Sequence, residues 1–138
     1  SRARRASWPD REAMANHLRR RGLFRRFTPD ALHDYVEGGT RLRDDGSAEL
    51  IYDPAIETEI FRNLPDHLAR LPRRLHIPFG VLVGGDSDLI TPRRRRRLAG
   101  HGIPLALVPG THMFPMEHPE ETRQALLAML DDLLGGEA

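Results

Sequence analysis

The stretch from Phe79 to Pro119, FGVLVGGDSDLITPRRRRRLAGHGIPLALVPGTHMFPMEHP, decides how the chain is read. It contains two short apolar runs, and each ends in a loop carrying groups that do chemistry. Phe79–Val83 is bounded by Pro78 and by Gly84-Gly85, the pattern of a strand buried on both faces in a parallel sheet. It feeds Asp86-Ser87-Asp88. Ile103–Val108 is a second such run, and it feeds Pro109-Gly110-Thr111-His112. An acid beyond one strand and a histidine beyond the next form the acid-and-base half of a nucleophilic triad. The segment between them opens with Thr91-Pro92, an N-cap followed by proline, and predicts a helix ending at Gly100 or Gly102. After the histidine, Pro119-Glu120-Glu121 begins a final helix, with Thr122, Leu126, Met129, Leu130 and Leu133 along one face. Strand, helix, strand, helix is one right-handed crossover unit of an open α/β sheet.

Two parallel strands do not make a domain. Each has two edges to satisfy, and an unpaired buried backbone group costs on the order of 1–3 kcal/mol. The pattern therefore predicts further strands beyond this chain.

Residues 1–75 have a different texture, that of short amphipathic helices with little sheet. Ser7, with Pro9 and Asp10 after it, predicts a helix to about Arg20 that buries Met14, His17 and Leu18 and stops at Gly22. Thr28-Pro29 starts a second, burying Leu32, Tyr35 and Val36 before Gly38-Gly39. Arg43–Ser47 is turn chemistry, and Glu49–Tyr52 reads as a short extended piece. Asp53-Pro54 caps a third helix with Ile56, Ile60 and Phe61 as its stripe, and Pro65-Asp66 a fourth through Leu68 and Leu71. Their apolar faces are narrow, so this half is expected to rest on another surface.

Composition narrows the function classes. The 21 basic and 20 acidic residues leave a net charge of +1, which calls for no polyanionic partner. Every basic residue is arginine, and there is no cysteine. The second fact removes disulfides, thiolate catalysis and Cys-ligated zinc, and fits a cytoplasmic location. No run is long enough to span a membrane, and the N-terminal residues lack an apolar signal core, so a soluble chain is expected. Arg93–Arg97 point all round their helix and read as a solvated face rather than a nucleic-acid site. His112 and His118 lack the one-turn spacing of a helical metal pair, so no metal and no cofactor are expected.

The two loops carry a resemblance. Gly85-Asp86-Ser87-Asp88-Leu89-Ile90-Thr91-Pro92 resembles the acid loop of α/β-hydrolases, and Gly110-Thr111-His112, with Glu117 and Pro119 after it, resembles their histidine loop. The resemblance covers residues 77–130 well and the rest loosely. It implies an α/β fold made of the C-terminal portion of that fold (76–138) preceded by a helical cap (1–75). It implies His112 as general base and Asp88 as the acid that orients it, Asp88 rather than Asp86 because it keeps the Gly-x-x-Asp register. Met113, Phe114 and Trp8 are the expected contacts of a small ester-like substrate. The family's Gly-x-Ser-x-Gly elbow is absent from this sequence. Ser87 and Thr111 each share a loop with a triad partner and have no elbow to aim them. The nucleophile and oxyanion hole are therefore expected on an N-terminal α/β-hydrolase segment outside this chain, which by itself should be inactive. Whether that nucleophile is serine, or the aspartate of epoxide hydrolases and dehalogenases, stays open. A non-catalytic module that pairs its open sheet edge with a partner chain is the alternative.

Overall fold

The fold is taken from a computed structural model that describes residues 5–63 and 77–135. Contacts divide the chain into two compact units, Ser1–Arg73 and Arg74–Ala138. The boundary expected at 75/76 lies outside the described residues, as do the helix expected from Pro65 and the Phe61 side chain.

The first unit contains more sheet than its sequence suggests. Strands β1 (Ser7–Trp8), β2 (Thr40–Leu42) and β3 (Ala48–Leu50) form an antiparallel sheet in the order β1-β3-β2. Ser7 thus pairs with Glu49 rather than capping a helix. Helix α1 (Arg11–Arg19) starts instead at Asp10, whose carboxylate accepts from the Ala13 N–H at 2.6 Å. Both signals met the N-cap preference, and Asp10 prevailed because the chain before it is extended into the sheet. Thr28 and Asp53 cap α2 (Pro29–Gly39) and α3 (Pro54–Arg62), each with proline in the first turn. Met14, Leu18, Phe24, Phe27, Leu32, Val36, Ala48 and Leu50 make the core. In contrast to the expected stripe, Ile56 and Ile60 of α3 are exposed.

Arg11 ties the helices to the sheet. Its guanidinium donates to the Glu37 carboxylate (2.7 Å), to the Glu37 and Thr40 carbonyls and to Thr40 Oγ1. Those carbonyls are among the orphans at the end of α2, so one side chain closes that helix where the chain turns into β2.

The second unit pairs β4 (Val81–Gly84) with β5 (Leu105–Val108) in parallel, with Val81 opposite Leu105 and Gly84 opposite Val108. Between them runs α4 (Pro92–Ala99), capped by Thr91, and after them come α5 (Phe114–Glu117) and α6 (Pro119–Gly135). Helix α6 packs on β5, and the Met129 side chain lies against Gly80, where even a Cβ would collide with it. Burial is thinner than the apolar runs predict. Leu107 in β5 is 56% exposed, and Leu126, Leu127, Leu130 and Leu134 of α6 are exposed too. Among the described residues of this unit, β5 keeps Leu107 in solvent rather than buried.

The Trp8 ring lies 6.0 Å from the His17 ring, centroid to centroid. Burial, then the charges of Arg21, Arg5 and Arg20, hold the His17 imidazole below its usual value of 6.5. Because the folded value is the lower one, the unfolded chain binds the extra proton, and this contribution to stability is complete above pH 6.5 and is lost as the pH falls through the folded value. The thermal midpoint should decline on acidification below that point, and His17→Gln should flatten the decline. An equally steep profile in the variant would show that other groups set it.

Candidate active site

The site is built on the carboxyl ends of β4 and β5, where open α/β sheets bind ligands. Backbone hydrogen bonds carry the strand pairing past the last strand residues. The Gly85 N–H donates to the Val108 carbonyl at 2.8 Å, and the Asp86 N–H to the Gly110 carbonyl at 2.9 Å. The two chemically loaded loops are thus joined side by side. Gly84 permits the approach, since a Cβ there would run into the Thr111 and Gly110 carbonyl oxygens. Gly110 has φ +103° and leaves room for the Glu117 carboxylate, which any side chain at 110 would meet. Two glycines at the strand ends therefore have a steric reason.

Across the joined loops, His112 Nδ1 stands 3.6 Å from Asp88 Oδ1. That is ion-pair range, slightly beyond a direct hydrogen bond. The His112 side chain is 38% exposed and that of Asp88 85%. Asp88 also edges an open cavity of about 500 Å³ lined by Thr91, Arg93, Arg94 and Arg97. Asp86 is exposed in the same loop. Met113 and Phe114 follow His112 and are half-buried. Trp8 belongs to the first unit and is 5% exposed in its core, so its ring serves packing there. Its indole nitrogen is buried and finds no acceptor among the described residues.

The Ser87 and Thr111 hydroxyls both take part in holding their loops. Ser87 is buried, and its Oγ accepts from the Ile90 N–H at 3.3 Å. Thr111 Oγ1 donates to Glu117 Oε1 and accepts from the Met113 N–H. Glu117, by contrast, has a part that its charge alone does not reveal. Buried at the end of α5, it also accepts from the Thr111 N–H at 2.8 Å, so one carboxylate holds the backbone just before His112 while Thr111 holds the backbone just after it. The signal available in the sequence was the spacing of Glu117 behind Gly110-Thr111-His112. Among the described residues no group of three or more His, Asp or Glu side chains is gathered as a metal would require. No helix among them is long and apolar enough to cross a membrane.

The crystal structure of E-2-(acetamidomethylene)succinate hydrolase matches 94% of this chain with a TM-score of 0.79 at 23% identity. An esterase of M. tuberculosis matches 91% with a TM-score of 0.66 at 20% identity. A thioesterase domain from the curacin biosynthetic pathway matches 89% at 0.63 and 16%. This chain has part of the α/β-hydrolase fold. It spans 48%, 42% and 43% of those three proteins, less than half of each. No family model matches the sequence, and no curated protein matches it.

Two substitutions check the joined loops. Gly84→Ala should lower stability by roughly 1–3 kcal/mol, because the obstacles are backbone oxygens that cannot rotate away. Thr111→Val should cost about 1–3 kcal/mol by leaving the buried Glu117 one partner short. Both are read from denaturant midpoints, and a wild-type midpoint for Gly84→Ala would mean that the loops stand further apart.

Proposed function

We propose that this chain supplies the acid and the base of a serine α/β-hydrolase that cleaves an ester or similar small carbonyl compound. The observation that carries the reading is the approach of His112 to Asp88 at 3.6 Å, beyond the ends of two paired parallel strands. His112 is the general base. Asp88 faces its Nδ1, favouring the tautomer protonated there and leaving the Nε2 lone pair for a nucleophile. A serine hydroxyl at Nε2 gives up its proton as its oxygen attacks the carbonyl carbon. The tetrahedral intermediate then collapses to an acyl-enzyme, and the imidazolium returns the proton to the leaving group. Water enters by the same route and releases the acid.

The nucleophile and the oxyanion donors lie, in this reading, on an N-terminal segment on the same or a separate chain. The exposed leucines of β5 and α6 support such a segment, because apolar surface of that extent gains by being covered. A hydrolase that carries aspartate as nucleophile would use the same pair. The first unit is the cap and the second the C-terminal part of the core. Met113 and Phe114, next to His112, are the proposed substrate contacts; Trp8 would reach substrate only if the core of its unit opened. The named activities of the three solved proteins, hydrolase, esterase and thioesterase, support a carbonyl substrate for this one. A cysteine-free chain fits the cytoplasm.

The same exposed leucines also favour a second reading, a non-catalytic module that pairs with a partner chain. In the assembled protein, assayed on a panel of p-nitrophenyl esters, His112→Ala should lower kcat by roughly 10⁴-fold. Turnover that survives the substitution would remove the catalytic assignment and leave the module.

A further inference from the structure

The arginine run Arg93–Arg97 was expected to be a solvated face, and four of its members are exposed. Arg95 is not. It is half-buried, and its guanidinium folds back over the loop that precedes its own helix. Nε donates to the Ile90 carbonyl at 3.0 Å, and Nη2 donates to the Gly85 carbonyl at 2.7 Å. Gly85 and Ile90 are the two ends of the loop that carries Asp88. One rigid, planar fork therefore sets the distance between the loop's ends. Arg94 adds a bond to the Leu89 carbonyl.

Asp88 depends on such support. Bonds at the Gly85, Asp86, Ser87 and Ile90 N–H groups also hold the loop, and the Asp88 side chain itself is 85% exposed. Its position follows from how the flanking backbone is held. We propose that Arg95 is a positioning residue for the acid, which by bridging Gly85 and Ile90 keeps the Asp88 carboxylate at His112 Nδ1. The proposal rests on the reading of Asp88 and His112 as an acid–base pair. Arg95 acts only through the loop.

The experiment is nitrogen-15 NMR of the His112 ring in the full chain at alkaline pH, reading the share of imidazole protonated on Nδ1. Asp88→Ala tests the pair, and Arg95→Lys tests the bridge, since lysine keeps the charge but lacks the fork. The expected result is a fall in the Nδ1-protonated share for Asp88→Ala, with about half or more of that fall reproduced by Arg95→Lys. If Asp88→Ala changes nothing, the pair and the proposal fall together. A change in Asp88→Ala with a wild-type spectrum in Arg95→Lys overturns the proposal and leaves the pair intact. A wild-type measurement guards against a variant that does not fold. The Arg95 Nε–H should exchange with solvent about tenfold more slowly than those of Arg93 and Arg96, and equal rates would show that the bridge does not persist.

Discussion

The candidate site depends on the parallel pairing of β4 with β5 and on its continuation beyond the strands. A pairing that stopped at Gly84 and Val108 would leave two loops free to diverge. Instead, the Gly85 and Asp86 N–H groups reach the Val108 and Gly110 carbonyls, so the backbone that bears Asp88 and the backbone that bears His112 are one hydrogen-bonded structure. Gly84 makes this possible by lacking the one atom that would collide with the neighbouring carbonyls. The distance between the acid and the imidazole is thus inherited from sheet geometry.

Each loop is then closed by a charged side chain that follows it in the sequence. Arg95 donates to carbonyls on either side of Asp88, while Glu117 accepts from the Thr111 N–H and hydroxyl beside His112. The assignment of signs follows from the groups to be satisfied. A loop that turns its carbonyls inward needs a donor with several N–H groups, and a loop that turns N–H and O–H inward needs an acceptor. Such bonds to charged groups are stronger than neutral ones, which suits short loops with little apolar surface of their own.

The two units reach stability by different means. The first has a core of aromatic and aliphatic side chains, including Phe24 and Phe27, which tilt against each other and each meet Tyr35 edge to face, closed by a small antiparallel sheet. Among its described residues the second buries a few apolar side chains, Val83, Ile103, Val108 and Met129, and leaves most of the leucines of α6 in solvent. Buried apolar area contributes about 25 cal/mol per Å², so a unit with so little of it leans more heavily on its hydrogen-bonded loops.

Local chemistry was legible directly. Thr28-Pro29, Asp53-Pro54 and Thr91-Pro92 each start the helix that their sequence announces, because an N-cap and the proline after it act within one turn. The order strand, helix, strand, helix after Ile77, with an acid and a histidine at the strand ends, was equally readable, since it rests on hydrophobic runs and their punctuation. Features that need a partner distant in sequence were not. Ser7–Trp8 and Thr40–Leu42 are too short to show a periodicity and become strands only because Ala48–Leu50 lies between them. Ile56 and Ile60 have the spacing of a buried stripe, yet spacing cannot say whether a surface lies opposite. Five adjacent arginines look alike in sequence; only the fold of the loop before them separates Arg95, which is half-buried and finds two carbonyls, from its more exposed neighbours. The sequence by itself determined where helices begin and which residues could do chemistry, because those depend on near neighbours along the chain. The tertiary structure decided which of those residues meet, because that depends on a strand pairing that brings Asp88 to a histidine beyond the next strand.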